Sequence, residues 1–165
     1  MRVREARPED AEDFAGVMAR VAEEGLIATE PPVDVEERAA KARKTIEDDG
    51  PDTLWVLEEA DTIVGAVGVH STRARGVLSL GMMIRPESRG RGGGRALLKA
   101  AIEHAREQGA HKVELEVWPE NGRAIALYTS AGFAVEGVRR SHYRRRDGSL
   151  RSSIVMALLL GDGEP

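Results

Sequence analysis

Apolar residues recur with two different periods along this chain, and the changes of period mark its predicted elements. A period near 3.6 residues appears between Ala11 and Val21 and again between Leu97 and Ala105, as on the buried face of an amphipathic helix. Alternating or continuous apolar runs, typical of strands, make up most of the other regular segments. The predicted strands are a short one flanked by Val3 and Ala6 and the segments 53–59, 62–70, 77–84, 112–118, 133–143 and 150–159. The predicted helices run from about residue 7 to 25, 35 to 48, 92 to 109 and 121 to 131.

Glycine and proline separate these elements. The pair Pro31-Pro32 excludes a regular element between the first two helices, while Ala60-Asp61 and Asp147-Gly148 are typical of hairpin turns. The resulting order is strand, two helices, three strands, helix, strand, helix and two strands. Because no linker or repeat interrupts this order, we expect one mixed α/β domain over residues 1–160 and a short tail at 161–165.

Composition excludes several classes of protein. The 165 residues are 41% hydrophobic and 32% charged, and no window approaches the ~18 consecutive apolar residues of a membrane helix. The charged N-terminus lacks the apolar core of a signal peptide, so we expect a cytoplasmic protein without a membrane partner. No cysteine is present, and the four histidines lack the spacing of zinc ligands. We therefore expect no disulfide, no metal and no thiol that could hold an acyl group.

Charge is divided unevenly along the chain. Residues 1–60 carry 17 Asp and Glu against 8 Lys and Arg, whereas residues 61–165 carry 11 against 16. An acidic first third suits a cationic partner and a basic remainder an anionic one, although acidic surface helices also explain the asymmetry. The arginine-rich segment 139–146 contains one tyrosine, which is compatible with single-stranded nucleic acid or with a solvated hairpin. The net charge of -4 favours the hairpin, and we expect no nucleic-acid partner.

A glycine-rich turn, Arg89–Gly94, lies between a predicted strand and a predicted helix. Free backbone N–H groups and the positive end of a helix dipole meet at such a point, and glycine lets a phosphate approach the main chain. The spacing fails the dinucleotide pattern, because Arg95 stands where the third glycine is needed. It also fails the nucleoside-triphosphate pattern, which requires Lys after the last glycine. A flexible arginine-glycine loop without a ligand is the alternative at this point.

Two motifs resemble the GNAT superfamily of acyl-CoA-dependent N-acetyltransferases. The turn Arg89-x-x-Gly92-x-Gly94 is similar to the family's acyl-CoA signature at every defined position. Downstream, the segment 121–128 followed by Gly132-Phe133 resembles the family pattern N-x-x-A-x-x-L-Y-x-x-x-G-F. The resemblance implies a GNAT fold, in which helices flank a twisted, mostly antiparallel sheet, and acetyl-CoA as the acyl donor. It is strongest over residues 77–138 and weakest before residue 53.

The resemblance also implies cofactor contacts at matching positions. The strand edge at Met82, Met83 and Ile84 would pair with the pantetheine arm, and Gly81 before it is compatible with a close backbone approach. Asn121 suits a helix N-cap, which needs no ligand, and in the family the matching asparagine also reaches the cofactor arm. The pyrophosphate would lie on the turn, whose residues are Arg89, Gly90, Arg91, Gly92, Gly93, Gly94 and Arg95.

Acetyl transfer to an amine needs an acid for the departing thiolate, donors for the oxyanion and a neutral nucleophile. By resemblance, Tyr128 is the acid, and it projects from the same helix face as Asn121, two turns away. By the same resemblance, a backbone N–H around Met82–Met83 is the implied oxyanion donor. Glu116 on the strand VELEV is the candidate base, while Glu30, in the loop where the family builds its acceptor site, is the alternative together with a water relay.

The predicted function is direct transfer of acetyl from acetyl-CoA to a primary amine. The acceptor would be a small molecule such as an amino acid, or a protein N-terminus, bound by residues 22–34 and 139–150. The alternative is an inactive module that binds acyl-CoA. A homodimer is compatible with the late strands.

Overall fold

The computed structural model describes residues 1–161, so the tail predicted for 161–165 lies almost wholly outside the described residues. Its regular elements are β1 (Arg2–Glu5), α1 (Ala11–Ala22), α2 (Val35–Glu47), β2 (Thr53–Glu59), β3 (Thr62–Ser71), β4 (Val77–Ile84), α3 (Gly93–Glu107), β5 (Lys112–Val117), α4 (Gly122–Ser130), β6 (Ala134–Arg144) and β7 (Leu150–Leu159). Short 3-10 turns precede α1 and follow β4. None of the helices within residues 1–161 has the length and apolarity needed to cross a membrane.

The seven strands form one sheet in the order β1-β2-β3-β4-β5-β7-β6. Every neighbouring pair is antiparallel except β4 and β5, which are parallel because α3 connects them. The last strand, β7, lies between β5 and β6, so the final hairpin inserts into the sheet rather than extending it. The predicted mixed α/β fold with a mostly antiparallel sheet is confirmed.

Apolar side chains pack on both faces of the sheet. One face carries α3 and α4 over a core that includes Leu97, Leu115 and Met156. The other face carries α1 and α2, with Val17 and Val56 at its centre. Alternation along β4 therefore sends successive side chains into different layers.

A partly buried charge cluster fixes the start of the chain against this core. The Arg4 guanidinium donates to both carboxylate oxygens of Asp10, at 2.7 and 2.9 Å, and to Glu58 at 2.8 Å. Asp10 also accepts from the backbone N–H of Arg7 at 2.7 Å. These donors, Arg4 first, hold the pKa of Asp10 below its usual value. The cluster links β1 to β2 and to the beginning of α1.

Candidate active site

The sheet opens in its middle, between β4 and β5. These strands pair only over Val77–Ser79 and Lys112–Glu114. Beyond that point β4 continues along β3 as far as Ile84, and β5 continues along β7 as far as Val117. The two inner edges therefore part and leave backbone N–H and C=O groups that need other partners. An extended ligand with amide groups is suited to such an edge.

A cavity of about 1250 Å³ occupies this opening. It is bounded by the ends of β4 and β5, the turn before α3, the beginning of α4 and the loop after α1. Its lining includes Met82, Met83, Ile84, Arg89, Gly90, Gly92, Gly93, Gly94, Arg95, Glu116, Trp118, Asn121, Arg123, Tyr128 and Tyr143. The structure thus brings together most of the residues that the sequence singled out, while Glu30 and Arg91 are not among the lining residues.

The glycines of the turn answer two different demands. Gly90 and Gly92 have positive φ angles of 78° and 88°, and a Cβ at either would meet nothing within 4 Å. Gly93 instead packs against the core, since its Cβ would lie 2.4 Å from Cδ2 of Leu57. Gly92 is the N-cap of α3, so the first N–H groups of that helix end at the cavity without intrahelical acceptors. This is the arrangement that favours phosphate.

The arginines of the turn are mostly engaged within the protein. Arg89 donates through Nε to the carbonyl of Ile84 at 2.8 Å and pairs with Glu24, whose pKa it lowers. Arg91 pairs with Glu59. Arg95, in contrast, is exposed and has no ion pair within residues 1–161. The side-chain charge left for a ligand at the turn is therefore mainly that of Arg95.

Helix α4 carries Asn121 and Tyr128 into the cavity wall. The Oδ1 of Asn121 accepts from the N–H of Ala124 at 3.2 Å, as the N-cap interpretation predicts. Tyr128 is 6% exposed and its ring lies 5.8 Å from that of Phe133. Its hydroxyl has no hydrogen-bond partner in the described part of the chain. Burial raises the pKa of Tyr128 to about 12, so its phenol is protonated at neutral pH.

Glu116 reaches the cavity but is already well bonded. Its carboxylate accepts from the hydroxyls of Tyr143 at 2.9 Å and Ser153 at 2.5 Å, and pairs with Arg139 at 2.8 Å. A carboxylate offers about four acceptor sites, so about one remains open. Of the two strand glutamates, Glu116 lines the cavity and Glu114 does not.

The arginine-rich hairpin holds the loop after α1. Arg145 donates to the carbonyl of Ala28 at 2.9 Å, Arg146 to that of Pro31 at 2.6 Å, and Arg151 to that of Gly25 at 2.6 Å. These bonds connect β6 and β7 with the α1–α2 connection and close one side of the cavity.

The same hairpin engages Glu30. Its carboxylate accepts from the backbone N–H of Arg146 at 3.1 Å and lies 3.6 Å from the Arg145 guanidinium. Glu30 therefore helps to attach the loop after α1 to the hairpin formed by β6 and β7.

Trp118, directly after β5, is a cavity residue that sequence reasoning missed. The guanidinium groups of Arg145 and Arg151 lie 5.7 and 4.9 Å from the centre of its ring, and Tyr143 meets it edge-on at 5.0 Å. Its Nε1 is buried and has no hydrogen-bond partner among residues 1–161. Arg123, also missed, is an exposed residue of the lining. In the sequence only their position pointed to the site, since Trp118 precedes Asn121 and Arg123 follows it within three residues.

Residues 1–161 contain no group of three or more His, Asp or Glu side chains arranged to hold a metal ion. The polar groups that line the cavity include backbone N–H groups, guanidinium groups, carboxylates and phenols.

A mixed sheet that opens between two parallel strands, with a glycine-rich turn suited to phosphate and a buried tyrosine at the opening, agrees with the acetyltransferase fold that the sequence motifs imply. Residues 20–133 match the model of the acetyltransferase (GNAT) family. The chain belongs to this family.

Individual relatives support the assignment. The chain is 30% identical over 137 residues to the L-methionine sulfoximine/L-methionine sulfone acetyltransferase of Pseudomonas aeruginosa, which covers 76% of this chain and 77% of that protein. It is 40% identical over 75 residues to the ribosomal protein bS18-alanine N-acetyltransferase of Escherichia coli, covering 46% of this chain. That match spans only half the length of the relative. The structure of a phosphinothricin acetyltransferase from Sinorhizobium meliloti in complex with acetyl-CoA superimposes with a TM-score of 0.83 at 21% identity, over 98% of this chain and 89% of that one.

Proposed function

We propose that this protein transfers the acetyl group of acetyl-CoA directly to a primary amine, within one domain formed by residues 1–160. The observation that carries the proposal is the opening between β4 and β5 beside the glycine-rich turn. Acetyltransferase relatives and a structural neighbour that binds acetyl-CoA support it.

The cofactor would lie along the opening in an extended form. The unpaired edge at Met82, Met83 and Ile84 would hydrogen-bond the pantetheine amides, and the N–H groups from Gly90 to Arg95 would hold the pyrophosphate. Asn121 uses Oδ1 for its cap, which leaves its Nδ2 to donate to the cofactor arm.

In the reaction, the amine nitrogen forms a bond to the acetyl carbon and the carbon–sulfur bond breaks. A backbone N–H near Met82 would stabilise the oxyanion. Tyr128 would donate a hydrogen bond to the departing sulfur, since within residues 1–161 its hydroxyl has no other partner. Coenzyme A would then leave as a thiolate and take its proton from solvent. The proton lost by the amine would pass to the open acceptor site of Glu116, directly or through one water.

Glu30 is the alternative base, with a role at the acceptor. Its bonds to Arg145 and Arg146 favour a contribution through the shape of the α1–α2 connection. A preorganised acceptor loop accelerates transfer by positioning, which can supply a large part of the reduction in barrier.

Two measurements test the proposal. Calorimetry should show acetyl-CoA binding, and a panel of primary amines should release free thiol only when protein, acetyl-CoA and amine are all present. Binding without any thiol release would favour the second candidate, an inactive acyl-CoA-binding module. Absence of acetyl-CoA binding would refute both.

A cytoplasmic location and a homodimer are further proposals. The outermost strand β6 supports association through the late strands, because Val135 and Val138 on it are 59% and 57% exposed. Light scattering of the purified protein measures the assembly directly.

A further inference from the structure

A second, smaller cavity lies on the face of the sheet that α1 and α2 cover. Its volume is about 250 Å³. It shares Ile27, Gly81, Met82 and Met83 with the larger cavity, so the two meet at the unpaired part of β4. A molecule held in the small cavity would therefore border the place where the acetyl group is proposed to lie.

The interior of the small cavity is apolar. Phe14 and Met18 come from α1, Leu54 and Ala66 from β2 and β3, and Met83 from β4. Space is available partly because Gly81 lacks a side chain, and a Cβ there would meet nothing within 4 Å. These surroundings suit a short aliphatic or thioether group.

The α2 side of the cavity is cationic. Arg38, Lys41, Ala42 and Thr45 all line it, and their spacing places them on one face of the helix. Lys41 pairs with Glu37 on its own helix. Arg38 is half-buried and, among the described residues, has no carboxylate partner for its guanidinium group.

Other charges face this region as well. His70, a lining residue, lies 3.6 Å from the carboxylate of Asp52. The arginines of the late hairpin are committed to the loop after α1, to Glu30 and to Trp118. Among the described residues that line the small cavity, Arg38 is consequently the cation available to an external anion. Its planar guanidinium group can donate two parallel hydrogen bonds to a carboxylate.

We propose that the acceptor is a small amino acid-like molecule whose apolar side chain lies in this cavity and whose free carboxylate pairs with Arg38. The inference rests on the proposed acetyl transfer and specifies its acceptor. It also disfavours a protein N-terminus, because the first residue of a polypeptide carries an amide where the free amino acid carries its carboxylate.

The test compares matched acceptors and matched variants. Thiol release from acetyl-CoA would be measured with methionine, leucine and phenylalanine, each as the free acid, the amide and the N-terminal residue of a tripeptide. The variants are Arg38→Gln, Arg38→Lys and, as control, Lys44→Gln, which removes a charge from the same helix outside the cavity. Thermal unfolding of each variant checks that the fold is retained.

We expect the free acids to be the better acceptors. Arg38→Gln should raise KM for the acids about tenfold or more, because a hydrogen-bonded ion pair is lost, and leave KM for the amides within about twofold. Arg38→Lys should recover part of the loss, and Lys44→Gln should change neither value.

The opposite results separate this inference from the proposed function. Equal or better use of amides or tripeptides, or an equal effect of Arg38→Gln on acids and amides, overturns the carboxylate site while acetyl transfer stands. Acetyl-CoA binding without turnover of any of the nine acceptors also overturns it. Loss of acetyl-CoA binding itself, measured by calorimetry, would overturn the underlying function and this acceptor together.

Discussion

Replacing Tyr128 with phenylalanine tests the proposed chemistry at one atom. The ring is 6% exposed and packs near Phe133, so Tyr128→Phe keeps its volume and its contacts. Within residues 1–161 the hydroxyl donates no hydrogen bond whose loss would leave a partner unsatisfied. We therefore expect the free energy of unfolding to change by less than about 0.5 kcal/mol, and acetyl-CoA affinity to stay within about threefold.

The raised pKa of Tyr128 sets the size of the effect on turnover. A phenol with a pKa of about 12 is a much weaker acid than a thiol with the pKa of a cysteine side chain, about 8.5. Complete proton transfer to a free thiolate would be uphill by about 3.5 pKa units, or roughly 5 kcal/mol. Tyr128 would therefore act chiefly by hydrogen-bonding the sulfur as negative charge develops. A hydrogen bond to a charged group contributes about 1.5–3 kcal/mol, so kcat should fall about 10- to 150-fold.

The assay is steady-state thiol release at saturating acetyl-CoA between pH 6 and 10. Because the phenol stays protonated over this range, the ratio of wild-type to variant kcat should be nearly constant with pH. Tyr143→Phe is the comparison: it removes a hydrogen bond to Glu116 and should affect stability as well as rate. A Tyr128→Phe variant with kcat within threefold of wild type would refute the role of this hydroxyl.

Three further substitutions test the charge cluster at Asp10, the packing of the glycine-rich turn and the open space at Gly81. Asp10→Asn should lower the free energy of unfolding by about 3 kcal/mol, since the half-buried Arg4 would keep only Glu58 as its carboxylate partner. The contribution of Asp10 to wild-type stability should be complete above about pH 4 and be lost as pH falls through its lowered pKa, and urea unfolding of the variant should not show this loss. Gly93→Ala should cost about 1–3 kcal/mol in the same assay, because its Cβ has no space beside Leu57. Gly81→Val should leave stability nearly unchanged but raise acceptor KM about tenfold, because the side chain enters the open space between the two cavities. An unaltered acceptor KM would contradict the proposal that the acceptor occupies this space.

The order and bounds of the elements were predictable because local signals marked them. The strand β7 was predicted at 150–159 and lies at Leu150–Leu159, and the other elements end within a few residues of their predicted bounds. The place of β7 between β5 and β6 was not predicted from residue patterns, because strand order depends on long-range pairing. The parting of β4 and β5 is likewise a matter of register, since neither Ser79 nor Glu114 signals where pairing stops.

The candidate site likewise has features that the sequence predicted and features that it did not. The glycine-rich turn and the N-cap at Asn121 were visible in the sequence because backbone geometry demands particular residues there. The partners of Glu116 were not, because Arg139 and Ser153 reach it only after β7 has inserted beside β5. Arg38 gave no sequence signal either, since an arginine on an amphipathic helix is ordinarily a solvated residue.

Part of the uneven charge of the chain is compensated inside the molecule. An acidic first third suits a cationic partner and a basic remainder an anionic one, with acidic surface helices as the alternative explanation, yet parts of the two regions bind each other. Glu24 pairs with Arg89 and Glu30 lies against Arg145, while hairpin arginines also occupy backbone carbonyls of the same loop. Pairing of this kind leaves little charge free at the acceptor side. Recognition of an acceptor anion would therefore depend on a cation without an internal partner, and among the described residues of α2 that line the small cavity that residue is Arg38.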